Sequence, residues 1–372
     1  MGKCFRTVID DPDPGRAVET IVRGAGTDTP ALTCLFVDAQ YDLDGLAVEL
    51  RRQLRGPVLA CTTAGHQIPE VGIMEHGMVA AAIVSERLSA VVQPIYEISR
   101  FGVAEAQAVA GRLGLDALPA PGGNGASQFG VVLIDGLSRA EERVMALLYA
   151  ACNGLPLVGG SAGDDKRFER TSVFDGERFV NDAAVIARVD SALPHRTFSY
   201  QNFTPRAGRH VVTRAQPGVR QILELDGQSA ARVYRDAIGQ EELTTQIVSQ
   251  HPLLLRWDGR EYARAIKGWE DGRLDMFCAV EEGMVVRIGQ PRDLVGTTEE
   301  QLQELCAELG RELLVIVAFT CFQRRLQIER NSDQTRQRRL LEQFPYIEFY
   351  TFGEQYNALH MNQMVTGFVL GI

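Results

Sequence analysis

The stretch FGVVLIDGLSRAEERVMALLYAACNG, Phe129 to Gly154, indicates the fold class of this chain. Its first six residues are apolar and rich in β-branched side chains, which is typical of a buried strand. The following residues place apolar side chains on one helical face: Val144, Leu147, Leu148 and Ala151. Ser138 and Glu141 have the spacing of a capping box, and Asn153-Gly154 is a helix stop. A buried strand followed by an amphipathic helix predicts an α/β domain.

The same alternation extends over the N-terminal half of the chain. Buried strands are predicted from TCLFVDA, PVLACTT, MVAAAIV and AAVIARV, and LDGLAVELRRQL has helical spacing. The Pro/Gly-rich stretch Pro119 to Ser127 is predicted to be an insertion, because the α/β rhythm resumes after it. We therefore predict an N-terminal segment over residues 1–28 and an α/β domain over residues 29–198.

The pattern changes after Ser191 to Gly208, a stretch without periodicity that we interpret as the domain boundary. RHVVTRA and RQILELDG predict a β-pair, and more strand and turn signals follow. TTEEQLQELCAELG predicts a helix with a Thr297–Glu300 capping box and Gly310 at its end. ELLVIVAF predicts a strand, RNSDQTRQRR a basic helix, and YIEFYTFGEQ and TGFVLGI a final pair. Residues 199–372 are therefore predicted to form an α+β domain, and the whole chain two mixed-sheet sandwiches with flanking helices.

Composition restricts the classes of function. A net charge of −10 disfavours a nucleic-acid partner, and the longest apolar runs are far shorter than the roughly 20 residues of a membrane helix. Seven cysteines without a CxxC pair indicate reduced thiols, so we expect a cytoplasmic protein. Neither paired cysteines nor closely spaced histidines occur, so no structural zinc site is predicted.

The motif GGSAG, Gly159 to Gly163, matches the spacing of the nucleophile elbow of serine hydrolases. In that interpretation Ser161 attacks a carbonyl carbon, with an Asp and a His completing a triad. No amphipathic helix is predicted after the serine, and no downstream histidine is singled out as its base. The simpler interpretation is a Gly-rich turn that lets two elements approach closely, with Asp164 and Asp165 bonding to loop amides.

Several motifs resemble a known family. LPLVGGSAGDD and the following VFDGERF are similar to the signature of the N-terminal FIST domain of bacterial signal-transduction proteins, and ACTTAGHQI is similar to its second hallmark. FYTFGEQYNALHMNQMVTGFVLG resembles the end of the C-terminal FIST domain. The resemblance covers nearly the whole chain and is strongest to the nitric-oxide-sensing subgroup. His66 is a departure, because the family is expected to have an acidic residue there.

This resemblance implies a sensor that binds haem b and nitric oxide and has no reaction of its own. Its partner would be a histidine kinase or a diguanylate cyclase/phosphodiesterase, and a homodimer is compatible with this role. His360 is then the expected ligand of the haem iron, because a gas sensor needs a neutral imidazole on one side of the iron. Glu354, Tyr356 and Asn357 are expected to orient the ring. Met361, Met364 and Tyr356 are weaker candidates for the axial position.

Two alternatives stay open at this point. The first is a FIST sensor of a small metabolite such as an amino acid, with Asp164, Asp165 and Glu354 as polar anchors and Ser161 and His66 as further pocket candidates. The second is a serine hydrolase that uses Ser161.

Overall fold

The computed structural model describes residues 2–115, 127–310 and 312–372. Most of the predicted insertion, residues 119–126, lies outside these ranges. The helices, labelled in chain order, are α1 Pro14–Ala25, α2 Leu43–Gln53, α3 Val103–Arg112, α4 Glu141–Ala151, α5 Ala230–Ile238, α6 Thr245–Gln250, α7 Leu294–Leu309, α8 Phe322–Arg330 and α9 Gln334–Leu341. None of these described helices combines the length and apolar character needed to cross a membrane.

The strands of the N-terminal half are β1 Lys3–Ile9, β2 Leu32–Asp38, β3 Val58–Thr63, β4 His66–Ile68, β5 Gly72–Met74, β6 Met78–Val84, β7 Leu88–Tyr96, β8 Ser127–Ile134, β9 Leu157–Ser161, β10 Val173–Phe174, β11 Phe179–Val180 and β12 Ala183–Ser191. Those of the C-terminal half are β13 His195–Tyr200, β14 Phe203–Pro205, β15 His210–Gln216, β16 Gln221–Leu225, β17 Gln228–Ser229, β18 Leu253–Trp257, β19 Arg260–Arg264, β20 Ile266–Glu270, β21 Arg273–Met276, β22 Val285–Pro291, β23 Leu313–Cys321, β24 Tyr346–Thr351, β25 Glu354–Tyr356, β26 Leu359–Met361 and β27 Val365–Gly371.

In the described residues these strands form four sheets, which confirms the predicted mixed α/β architecture. The first sheet has the order β1-β6-β2-β3-β10-β11, the second β26-β25-β9-β8-β12-β7, and the third β13-β27-β23-β24-β4-β5. Each contains one pair of parallel strands whose connection includes a helix: β2 with β3, β8 with β9, and β23 with β24. The fourth sheet is antiparallel, with the order β19-β18-β22-β15-β16-β21-β20, β14 beside β22 and β17 beside β16.

Two of the sheets combine strands from both halves of the chain. The hairpin β4–β5 pairs with β24 of the C-terminal half. In the other direction, β25 pairs with β9 of the N-terminal half, and β26 extends that sheet. The two halves are therefore joined by backbone hydrogen bonds as well as by side-chain packing.

The largest hydrophobic core is also shared by the two halves. Phe36 in β2 stacks on Phe349 in β24 with the ring centroids 3.9 Å apart, and Phe319 in β23 meets Phe36 edge-on. These rings belong to one buried cluster to which all three mixed sheets contribute. Helices cover the outer faces of these sheets: α1 and α2 on the first, α3 and α4 on the second, and α7, α8 and α9 on the third.

Both predicted capping boxes are wrong. Helix α4 begins at Glu141, and Ser138 lies in the preceding loop, where its hydroxyl donates to Asp135 O. Helix α7 begins at Leu294, so Thr297 lies inside its first turn and its hydroxyl donates to the backbone carbonyl of Asp293. In both cases the correct spacing is present but the helix starts at another residue.

Three element predictions in the C-terminal half are also corrected. The stretch from Ser191 to Gly208 contains the strands β13 and β14, and β13 pairs with β27 along its whole length. The predicted final pair, β24 and β27, does not pair internally, because the two strands lie on opposite sides of β23. The basic stretch is interrupted between α8 and α9, where Ser332 has a positive φ of 58°.

Candidate functional site

The terminal hairpin β25–β26 is docked on β9 by its turn residue. Asn357 adopts a positive φ of 53°, which allows the tight reversal between the two strands. Its backbone N–H donates to Leu157 O at 2.7 Å, and its side-chain oxygen accepts from Leu157 N at 3.2 Å. Asn357 therefore positions the hairpin, which differs from its predicted role of orienting His360.

The glycines of GGSAG allow this close docking. A Cβ atom at Gly159 would lie 1.8 Å from Val132 O, and one at Gly160 would lie 2.5 Å from the Thr351 side chain. The predicted close approach of two elements is confirmed, although both glycines lie in β9 and not in a turn.

His360 lies in β26 with only 1% of its surface exposed. Its Nδ1 lies 3.2 Å from the side-chain nitrogen of Gln355, and a Cβ atom added at Gly353 would meet the ring at 2.2 Å. Burial lowers the pKa of His360, with nearby carboxylates opposing this change, so the imidazole is neutral at pH 7. Neutral imidazole is the form that binds metal ions.

The ring contact is made by Gln355, which lies between the predicted partners Glu354 and Tyr356. Successive side chains of a strand point to opposite faces, so Gln355 reaches a face that its neighbours cannot. Glu354 is fully buried and accepts hydrogen bonds from Thr351 Oγ1 at 2.5 Å and Met364 N at 3.0 Å. Burial raises the pKa of Glu354 to about 8. In the described contacts this carboxyl group holds the backbone at Met364 and not His360.

Two residues that the sequence does not single out lie beside His360. One carboxylate oxygen of Glu142, Cys278 Sγ and one ring nitrogen of His360 all lie within 4.8 Å of one another. Cys278 is fully buried, and burial raises the pKa of its thiol to about 12. No rule of sequence spacing could find this group, because its residues lie far apart in the chain. Glu142 lies in α4, Cys278 in the segment that follows β21, and His360 in β26, and these three elements meet only in the tertiary fold.

Ser161 is fully buried at the end of β9. Its hydroxyl accepts a hydrogen bond from the Gln355 side chain at 2.8 Å, and its N–H donates to Gly353 O. Within the described residues no histidine contacts this hydroxyl, and the next element after β9 is the strand β10, not a helix. The hydrolase alternative therefore lacks both its base and its strand–turn–helix context.

The predicted aspartates have structural roles. Asp164 accepts from three backbone N–H groups, those of Phe168, Glu169 and Arg170, and so closes the loop after β9. This confirms its predicted bonding to loop amides. Asp165 has a positive φ of 61°, and its carboxylate lies 3.7 Å from Arg325 Nη1.

His66 lies in β4, at the junction of the third sheet and the N-terminal half. It is fully buried, and in the described residues neither ring nitrogen has a hydrogen-bond partner. Burial and the nearby Arg325 guanidinium lower the pKa of His66 to about 3. His66 is therefore a neutral core residue and does not belong to the group around His360.

A cavity of about 340 Å³ opens between β13, α7 and β19. Its floor contains the buried side chains of Tyr262, Met364 and Leu305, and Tyr356 also lines it. Its rim carries the ion pairs Arg196–Glu308 at 2.8 Å and Arg292–Glu300 at 2.9 Å, together with Arg260. Met361 lies in the small apolar cluster beneath this region. The cavity thus combines an apolar floor with groups of both charges.

The residues around His360 do not fit haem. Haem needs a flat slot next to its axial ligand, but Gly353, Gln355, Glu142 and Cys278 occupy the space around this ring. His360 does not line the 340 Å³ cavity. Tyr356 and Met364 do line it, but on a floor beneath a rim of charged side chains. The surroundings of His360 therefore leave no slot for the haem macrocycle.

Two family models match the chain. The FIST N domain matches residues 31–228, and the FIST C domain matches residues 230–357. No curated protein matches. Together the two matches include β9 with its GGSAG motif and the hairpin strand β25 that docks on it.

Proposed function

The chain belongs to the FIST family of signalling sensors, and on this premise we propose that it detects a small zwitterion of the amino-acid class. In this proposal the ligand occupies the 340 Å³ cavity. The chain has no reaction of its own and signals by contact with a partner protein. A histidine kinase or a diguanylate cyclase/phosphodiesterase is the partner that the family resemblance implies.

The observation that carries this proposal is that both positively and negatively charged side chains line the cavity. Arginine binds a carboxylate through two parallel hydrogen bonds, and a glutamate can accept from an ammonium group. Arg260 takes part in no ion pair within the described residues, so its guanidinium is available for a ligand carboxylate. Small-molecule sites typically have volumes of about 300–1,000 Å³, and this cavity is at the lower end of that range.

The residues that the sequence predicts as polar contacts for a metabolite do not line this cavity. Asp164 accepts hydrogen bonds from three backbone amides, and Glu354 accepts hydrogen bonds from Thr351 and Met364. Neither lines the cavity. In the proposal, Arg260, Arg292 and Glu300 contact the charged groups of the ligand instead.

A thermal-shift screen with amino acids, followed by calorimetry, tests this function. One chemical group of amino acids should raise the melting temperature, because a ligand that binds only the native state stabilises it. Arg260→Gln should weaken binding at least about tenfold, since it removes a charged hydrogen-bond partner. Arg256→Gln is the matched control, because Arg256 is exposed on the neighbouring strand and does not line the cavity.

Equal weakening by the two substitutions, or no response to any amino acid, would contradict the proposal. Nitric-oxide sensing through haem rests on the family resemblance alone and has a separate readout. If protein produced with a haem supply has a Soret band that nitric oxide shifts, the signal is nitric oxide and not a metabolite.

A further inference from the structure

The group formed by Glu142, Cys278 and His360 contains three types of metal-binding atom. A carboxylate oxygen, a thiol sulfur and an imidazole nitrogen lie within 4.8 Å of one another, and Cys278 and His360 are buried. In a tetrahedral zinc site, bond lengths of about 2.0–2.3 Å place the ligand atoms roughly 3.2–3.6 Å apart. Movements on the order of 1 Å would therefore bring the three atoms to coordination distance.

Each of the three side chains is held by a neighbour of its own. Arg220 Nη2 donates to Glu142 Oε2 at 2.8 Å, and Ala279 N donates to Oε1 at 2.5 Å. The Cys278 thiol donates to Asn362 Oδ1 at 2.7 Å, and Gln355 contacts Nδ1 of His360. Outer hydrogen bonds of this kind orient the ligands in metal sites.

We infer that Glu142, Cys278 and His360 bind one divalent transition-metal ion of the Zn²⁺, Co²⁺ or Fe²⁺ type. This site is separate from the cavity of the proposed function and does not depend on it. Thiolate and imidazole ligands select transition metals, whereas Mg²⁺ and Ca²⁺ prefer sites made only of oxygen. Three protein ligands leave a fourth tetrahedral position for water or another small ligand.

Metal binding at this site is a balanced exchange. The ion displaces the proton of Cys278, a metal–sulfur bond forms, and the proton is released to solvent. When the ion binds Nε2 of the neutral His360 ring, the ring proton lies on Nδ1, and the Gln355 amide turns so that its oxygen, which has no hydrogen-bond partner in the described residues, accepts from Nδ1–H. The Asn362 amide, which accepts from the thiol, can turn its NH₂ group towards the resulting thiolate. Glu142 already carries a negative charge, and each of its oxygens keeps a lone pair beyond those used by Arg220 and Ala279.

The bound ion would connect the two halves of the chain. Glu142 lies in α4 of the N-terminal half, whereas Cys278 and His360 belong to the C-terminal half. The hairpin that carries His360 also carries Tyr356, which lines the cavity. The metal would therefore hold in place an element that contacts the ligand site.

Titration of the full-length, chelator-treated and thiol-reduced chain with Co²⁺ tests this inference. We expect one Co²⁺ per chain, with visible bands of a tetrahedral ion and a near-ultraviolet thiolate charge-transfer band. Zn²⁺ should displace the Co²⁺, remove both sets of bands and raise the melting temperature. Because this readout uses the unmodified chain, it does not require a variant to fold.

Variants then identify the ligands. Cys278→Ser should remove the charge-transfer band, and Glu142→Gln and His360→Gln should each weaken Co²⁺ binding at least tenfold. The matched controls are Cys152→Ser, at another buried cysteine, and His195→Gln, at a histidine outside the group. The inference is wrong if the unmodified chain binds no Co²⁺, shows no thiolate band, or binds Co²⁺ equally well after Cys278→Ser. A Soret band lost with His360→Gln, in a chain that binds no Co²⁺, would also overturn it in favour of haem.

Discussion

The carboxylate of Glu348 in β24 accepts a hydrogen bond from the side chain of Gln67 in β4, which lies 281 positions earlier in the chain. Both side chains are buried, and their strands are neighbours in the third sheet. Thr320 donates to the other oxygen of the same carboxylate. This contact joins the hallmark sequence of the N-terminal half to the core of the C-terminal half.

Gln67→Ala should therefore destabilise the whole chain. The substitution removes a donor from a buried carboxyl group, and an unsatisfied buried polar group typically costs about 1–3 kcal/mol. Urea denaturation should show this loss in the free energy of unfolding. Gln303→Ala is the control, because Gln303 is exposed on α7 and its replacement should change stability by less than about 0.5 kcal/mol. Equal stability of the two variants would contradict this role for the contact.

The stability of the chain should depend on pH through Glu354. Burial raises the pKa of this carboxyl from 4.5 to about 8 in the folded chain. Its contribution to stability is therefore fully present below pH 4.5 and is lost as the pH rises to about 8. Glu354→Gln should remove this dependence, because the amide resembles the protonated carboxyl and does not titrate.

The measurement is the free energy of unfolding between pH 4.5 and 8.5 for both chains. Relative to the Gln variant, the unmodified chain should lose stability over this range, by an amount on the order of a few kcal/mol. Glu86→Gln, at an exposed residue, should keep the pH profile of the unmodified chain. A Glu354→Gln profile parallel to that of the unmodified chain would show that the carboxyl does not titrate in this range.

Gly159→Ala should prevent normal folding. The new methyl group would lie 1.8 Å from Val132 O, and both β8 and β9 are held there by the sheet. Such a clash with backbone should cost about 3 kcal/mol or more. Soluble yield and urea denaturation measure the effect. Gly218→Ala is the matched control, because no atom lies within 4 Å of its added Cβ; similar stability of the two variants would contradict the close packing of β9.

The cysteines should differ in their reaction with a thiol reagent. Cys278 and Cys321 are buried, and burial raises the pKa of both thiols, so they should react slowly in the native chain. Cys4 and Cys306 are both only partly buried, but burial raises the pKa of the Cys4 thiol to about 12, so Cys306 should react first. Mass spectrometry after timed alkylation separates the sites, and all cysteines should react quickly in urea. Rapid labelling of Cys278 in the folded chain would contradict its burial beside His360.

Local patterns predicted much of the secondary structure. The strand MVAAAIV matches β6 from Met78 to Val84, and LDGLAVELRRQL predicts α2 to within one residue. These predictions succeed because a run of apolar residues, or an apolar helical face, depends only on neighbouring residues. Ser191 to Gly208 shows the limit of such patterns: β13 has no clear alternation, and its pairing with β27 is what makes it a strand.

The candidate site was only partly visible in the sequence. His360 and Ser161 were singled out by their motifs, and the structure connects both to Gln355. Glu142 and Cys278 were not, since nothing in the residues around them indicates a shared site. Their meeting with His360 depends on the docking of the C-terminal hairpin on β9.

Most helices and strands, the mixed α/β class and the FIST resemblance can therefore be predicted from the residue pattern, because each depends on residues close together in the chain. The folded chain is needed to show that β4–β5 and β25–β26 join sheets of the opposite half, and that Phe36 packs on Phe349 in one shared core. Strand pairing and burial of distant apolar faces control those contacts, and no local pattern of residues encodes the choice of partner.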